Sequence, residues 1–168
     1  MRKFVITCLL ACLCLISWAG NIKKTSGDTS VLHQKEPVSV VFDFDKTTWE
    51  DDEDFKAWCG SSYSERIDLM ENSFIRVFNE GTKGLQAVDD LDSHYQMVIH
   101  INNIERKQGL LFGLFYIRIY GTCEIVDTHT KAVVYSAKFA KLGGDANYVE
   151  SQRLGNAFEA LAKEMTSL

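Results

Sequence analysis

Proline is nearly missing from this chain: Pro37 stands alone among 168 residues. Proline-rich linkers and polyproline docking segments are therefore excluded. Positive charge is also scarce, with 18 Lys and Arg against 23 Asp and Glu and a net charge of −5. No basic stretch is interleaved with aromatics. An acidic surface repels phosphate backbones, which argues against nucleic acid as a partner. There is no Gly-rich nucleotide loop, no serine elbow and no internal repeat. No apolar run reaches the ~20 residues that a membrane-spanning helix needs.

Cysteine is scarcer than its count of five suggests. Cys8, Cys12 and Cys14 fall in the opening segment, which leaves Cys59 and Cys123. These two could pair in an oxidising compartment, or act as buried thiols that pack like small hydrophobes.

The opening segment, MRKFVITCLLACLCLISWAG, has the layout of an export signal. Arg2 and Lys3 give the basic start, Phe4 to Trp18 carries no charge, and Ser17 and Ala19 supply small residues before a cut. Residues 1–19 are expected as the signal peptide, and the working protein as exported: periplasmic, outer-membrane-associated or secreted. Removing them takes away two cations and no anion, leaving 16 basic and 23 acidic residues, net −7. A second reading exists. Leu9-Leu10-Ala11-Cys12 resembles a lipobox, in which Cys12 would carry a lipid anchor and the polar stretch that follows would be a tether. Against it, cutting at Cys12 leaves Leu13 to Trp18 as an apolar start to the mature chain.

After the signal, residues 20–36 mix Lys, Thr, Ser, Gly, Asp and Gln without period and read as a polar linker. Residues 37–168 read as a single α+β domain of a length that buries a core without metals or disulfides. Val38, Val40, Phe42 and Phe44 alternate with Ser39, Val41, Asp43 and Asp45, a period of two that marks a strand. From Tyr63 the period becomes helical, with Ile67, Met70, Phe74 and Val77/Phe78 on one face and a stop at Gly81 or Gly84. Strands follow from Tyr95 to Ile101, from Phe115 to Ile125 and from Ala132 to Phe139, the last two joined by a turn at Asp127–Lys131. Leu154, Ala157/Phe158, Leu161/Ala162 and Met165 mark a closing helix. The order β-α-β-β-β-α predicts a mostly antiparallel four-stranded sheet with two helices on one face.

Two motifs look catalytic. Val40 to Thr47 resembles the first motif of haloacid-dehalogenase-type phosphatases, Asp-x-Asp-x-Thr after an apolar strand. That resemblance implies Asp43 as nucleophile, Asp45 as acid/base and a magnesium ion on the phosphoryl group. Gly144-Asp145 and Glu150 imitate the later acidic motif. The competing reading is plainer: the alternation makes Asp43 and Asp45 outward neighbours on one strand, and successive strands without crossover helices do not build that family's parallel sheet. The acidic cluster Glu50 to Asp54 lacks a calcium-loop spacing. Trp58-Cys59-Gly60-Ser61-Ser62-Tyr63 resembles the papain-type nucleophile segment. Here Ser62 replaces the second Cys, and the chain is too short for the distant partner His. His94 and His100, six residues apart on a strand, are separated by ~20 Å and cannot share a metal. The sequence thus assigns no catalytic residue, metal ligand or cofactor.

A broader likeness lies in the last third. Tyr120-Gly121-Thr122-Cys123-Glu124-Ile125-Val126-Asp127-x-x-Thr130-x-x-Val133-Val134, then Ser151-x-Arg153-Leu154-x-x-Ala157-Phe158-x-x-Leu161-Ala162-Lys163, resembles small bacterial envelope domains. Among them are the amino-terminal domain of TolB, the curli-secretion lipoprotein and secreted proteins of Bacteroidetes. Lys131 stands where that hairpin usually has Gly. The resemblance implies a non-catalytic cell-envelope protein that binds another envelope protein or assembles, including as a homo-oligomer. The row Tyr116, Arg118 and Tyr120 is the expected contact surface, since Tyr and Arg are enriched at interface hot spots. The apolar stretch Gly109 to Phe115 is the second, as an exposed patch unless it is core.

Overall fold

β2 (Pro37–Asp43) lies parallel to its two neighbours, β5 (Gln86–Val88) and β6 (Tyr95–Gln108). The computed structural model describes residues 21–88, 90, 92–109, 114–147 and 149–168. Beyond β6 the pairing turns antiparallel, through β7 (Phe115–Asp127) and β8 (Val133–Gly143) to β1 (Asn21–Gly27) at the edge. The sheet order is β1-β8-β7-β6-β2-β5. A short pair, β3 (Thr48–Trp49) and β4 (Glu53–Asp54), extends it beside β6.

The sheet is therefore eight-stranded and mixed, not four-stranded and mostly antiparallel as expected. The physical reason lies in the connection. β2 is followed by a long helical crossover, and a crossover of that length returns the chain parallel to where it began. The expected order survives as the backbone of the fold, with β1 added before its first strand and the short strands β3, β4 and β5 inserted between β2 and β6.

Residues 21–36, expected as a polar linker, carry β1 and a 3-10 turn, Thr29–His33. β1 is almost wholly exposed, so it shows no apolar alternation and its polar sequence mimics a tether. Val31 and Leu32 in the turn are buried and tie the segment to the core.

α1 (Phe55–Cys59) is a single turn of helix, capped by the Asp54 carboxylate, which accepts the Ala57 N–H at 2.7 Å. Gly60, at φ 56°, ends it in a conformation that suits glycine. α2 (Tyr63–Gly81) buries Met70, Phe74, Val77 and Phe78, as its period demands. α3 (Glu150–Thr166) buries Leu154, Ala157, Phe158, Leu161, Ala162 and Met165. Glu150 in its first turn and Lys163 in its last match the helix dipole. The two helices are bridged by Arg66–Glu150 at 2.7 Å and Arg76–Glu159 at 2.5 Å.

Both helices lie on the same face of the sheet. Phe42 of β2 meets Phe74 of α2 edge-on at 5.3 Å and Phe158 of α3 at 5.9 Å. Met97, Ile99 and Ile101 of β6, Ile117, Ile119, Cys123 and Ile125 of β7, and Tyr135, Ala137 and Phe139 of β8 are buried beneath them. The opposite face carries the alternate, half-buried residues, among them Val98, His100, Arg118, Tyr120, Thr122 and Glu124.

The β7–β8 turn closes on Asp127. Its Oδ1 accepts the N–H groups of His129 and Thr130, both at 2.9 Å, and its carbonyl accepts Lys131 N–H at 2.8 Å. Lys131 adopts φ 60°, a left-handed conformation that glycine takes up at lower steric cost. Lys131→Gly is expected to raise the unfolding free energy by about 1 kcal/mol, read as a higher urea midpoint at unchanged slope.

Candidate functional site

Of the sequence-derived candidates, the structure brings Asp43, Asp45 and His100 together. Asp43 ends β2 on the open face, and neither of its oxygens is idle. Oδ1 accepts the Asp45 N–H at 3.0 Å, and Oδ2 lies 2.7 Å from Nδ1 of His100, its register partner on β6. The Asp45 N–H and then the His100 hydrogen bond hold its carboxyl below the usual range. One oxygen of this carboxylate organises a turn and the other meets a histidine. Asp45 is exposed beyond it. A groove of about 430 Å³ runs from Asp43 and Asp45 to Tyr63, Ile67 and Glu71. Burial, then Asp68, raises the Glu71 carboxyl. Glu150, the later acid of the phosphatase-like pattern, is committed to Arg66.

Cys59 closes α1 rather than opening α2, so no helix N-terminus aims at its sulfur. Burial pushes its thiol up, against a hydrogen bond from Arg66 at 3.8 Å. Arg66 also stacks over Trp58, which lies parallel to Trp49 at 3.6 Å. Ser62, the residue before α2, makes no side-chain cap bond; Gly60–Ser62 is a 3-10 turn. Cys123 is fully buried and pushed up to about 12. Both cysteines are free. A thiol reagent is thus expected to label neither quickly in the native protein and both on unfolding; fast native labelling of Cys59 would restore the nucleophile reading.

The row Tyr116, Arg118 and Tyr120 lies on the open face of β7, as expected, and is half-buried. The Arg118 guanidinium sits 5.3 Å from the Tyr116 ring centre. Tyr120 donates its hydroxyl to Glu105 at 2.9 Å, and burial followed by that bond pushes it up to about 12. Glu105 also pairs with Lys107 at 2.9 Å. These side chains brace one another into a fixed surface. Of the apolar stretch Gly109 to Phe115, residues 110–113 lie outside the described residues, as do residues 1–20, which include the whole expected signal, 1–19.

One cluster escaped the sequence reading. His94, just before β6, meets Asp127 and His129 at the far end of β7. Antiparallel pairing sets Tyr95 opposite Asp127 and so delivers His94 to the turn. His94 Nε2 lies 3.6 Å from Asp127 Oδ2, and its Nδ1 lies 2.9 Å from Glu36 Oε2. The Glu36 hydrogen bond raises the imidazole above its ordinary value, while the Thr130 N–H lowers the Asp127 carboxyl. The sequence held a signal for this: three antiparallel strands in succession bring the start of the first beside the end of the second. Among the described residues, this is the one group of three His, Cys, Asp or Glu side chains that converges.

No transmembrane-length apolar helix occurs among the described residues. No protein-family model matches the chain, and a search of curated proteins gave no match. Solved structures do match, 27 chains in all. The PelC dodecamer from Paraburkholderia phytofirmans superposes with a TM-score of 0.51 at 17% identity, covering 89% of this chain and 98% of that one. A Xanthomonas campestris protein of the DUF330 family model reaches 0.44 at 15% identity, covering 89% and 90%. A Helicobacter pylori homolog of a neuraminyllactose-binding hemagglutinin reaches 0.40 at 10%, covering 85% and 91%. At these identities the likeness is one of fold: this chain has the fold of the PelC protomer, from one end of that protomer to the other.

Proposed function

We propose that the chain is an exported, non-catalytic cell-envelope protein that assembles with copies of itself and presents its open sheet face to another envelope protein. The observation that carries this reading is the fold shared with a dodecamer-forming protein over 98% of that protein's chain. Three further features support it. Residues 1–19 have the layout of an export signal. The hairpin and final helix resemble those of the TolB amino-terminal domain and the curli-secretion lipoprotein. The candidate catalytic side chains are tied into structural bonds: Asp43 to His100, Cys59 to burial and Arg66. Asn21 is already paired in β1, so a cut near Ala19 would leave little tether before the sheet. A lipid anchor at Cys12 is the alternative ending of the same export route.

The contact face is testable. Combined Tyr116→Ala and Arg118→Ala substitution removes the stacked pair while sparing the buried alternate residues. Assembly or capture of the envelope partner should weaken about tenfold or more with the urea midpoint little changed. Undiminished assembly and capture would move the interface elsewhere. Magnesium-dependent hydrolysis of a generic phosphate ester, abolished in Asp43→Asn, would contradict the non-catalytic reading outright.

A further inference from the structure

We infer that His94, Asp127 and His129 bind one zinc-class divalent transition-metal ion at the end of the sheet, with Glu36 fixing His94 in the ligating tautomer. The site stands independently of the assembly reading. Its four residues come from just before β2, the start of β6 and the end of β7 with its turn, so a bound ion would join the last two segments directly and Glu36 would be tied in through His94.

The geometry is nearly that of a coordination shell. One ligand atom from each of the three residues lies within 4.8 Å of the others. Zinc bonds to nitrogen and oxygen at ~2.0–2.2 Å, which places two ligands of one tetrahedral ion roughly 3.3–3.6 Å apart. The His94 Nε2 to Asp127 Oδ2 distance, 3.6 Å, already meets that spacing. His129 Nδ1 lies 4.0 Å from Asp127 Oδ1 and must close further. It is free to do so, since its side chain is 74% exposed.

Each ligand but the last is held. The His129 and Thr130 N–H groups fix one oxygen of Asp127 and leave Oδ2 toward His94. The His94 ring stacks on Tyr95 at 4.3 Å and 24°. Glu36 Oε2 lies 2.9 Å from His94 Nδ1 and accepts a hydrogen bond from it in the tautomer that leaves the lone pair on Nε2, the nitrogen that faces Asp127 Oδ2. A carboxylate behind a histidine is the outer-shell device that metal-bound imidazoles use to set tautomer and raise basicity. His94 and His129 meet edge to face at 5.0 Å, an approach that two imidazoles make without repulsion when both are neutral or share a cation.

The donor set chooses the ion. Two imidazole nitrogens and one carboxylate suit zinc and its transition-metal neighbours; magnesium and calcium take oxygen shells. Three protein ligands leave a fourth position for water or for a donor from another molecule.

The competing account is a hydrogen-bonded imidazolium between Glu36 and Asp127 with no metal affinity. The test uses the processed protein without a histidine tag, stripped by a chelator and titrated with zinc chloride by calorimetry at neutral pH. The site predicts one zinc per chain and no response to magnesium or calcium. His94→Gln and His129→Gln should each weaken zinc about tenfold or more, and Glu36→Gln about 10–100-fold, as an outer-shell loss does. His129→Gln decides the matter if His94→Gln unfolds, because His129 is exposed and buries nothing. Absence of zinc binding in the parent protein, or equal binding in the parent and in folded His129→Gln, overturns the site.

Discussion

Phe158→Ala is expected to lower the unfolding free energy by about 3–5 kcal/mol. Phe158 is fully buried on α3 at the point where the helical layer meets β2. Its ring faces Phe42 at 5.9 Å and Phe44 at 6.1 Å, and Phe44 continues the stack to Phe55 at 6.1 Å. Truncation removes the transfer free energy of the ring and leaves a cavity that the neighbouring rings cannot fill. For a domain of this length that is a fall in melting temperature of about 10 °C. Urea unfolding followed by tryptophan fluorescence reads it directly, because Trp49 stacks on Phe55 at 6.4 Å, one ring along the same cluster. A loss under about 1 kcal/mol would mean that α3 does not seat on the sheet as described.

Gly121→Ala should also be damaging, although it adds a single methyl group. A Cβ at Gly121 would lie 2.0 Å from the carbonyl oxygen of His100 and 2.6 Å from Cζ of Phe139. The ladder from β7 to β6 slips at Ile101/Asn103, and the ladder from β7 to β8 slips at Ile119/Gly121. Gly121 therefore sits where β7 is irregular toward both neighbours and the backbones approach closely. The methyl group can enter only if β6 or β7 moves, and overpacking of this kind costs about 1–3 kcal/mol or more. Pairing Gly121→Ala with Phe139→Leu should recover only part of the loss, because the His100 carbonyl stays in place. Full recovery would identify the ring, not the backbone, as the obstacle.

These positions show where the sequence was legible. Elements with one buried face announced themselves: Tyr63, Ile67, Met70, Phe74 and Phe78 carried the helical period, and Ile117, Ile119, Cys123 and Ile125 the strand period. β1 gave no sign, because Asn21–Gly27 has no buried face to write into its sequence. β3, β4 and β5 are two or three residues long, too short for any period to emerge. The direction of β2 was misread because three consecutive strands outweighed the single helical crossover before them. The site followed the same logic. Asp43 and Asp45 drew attention by adjacency in sequence, yet the pairing gives Asp43 to His100. His94, Asp127 and His129 span 35 residues between first and last, and only the β6–β7 register brings them together.

The central claim is self-assembly outside the cytoplasm, and the mass of the exported protein in its native state tests it most directly. Native mass spectrometry of protein recovered after export should show the mass of a homo-oligomer, each chain shortened at Ala19 or at Cys12. A single-chain mass at micromolar concentration, or a chain that still begins at Met1 and stays inside the cell, would contradict the account.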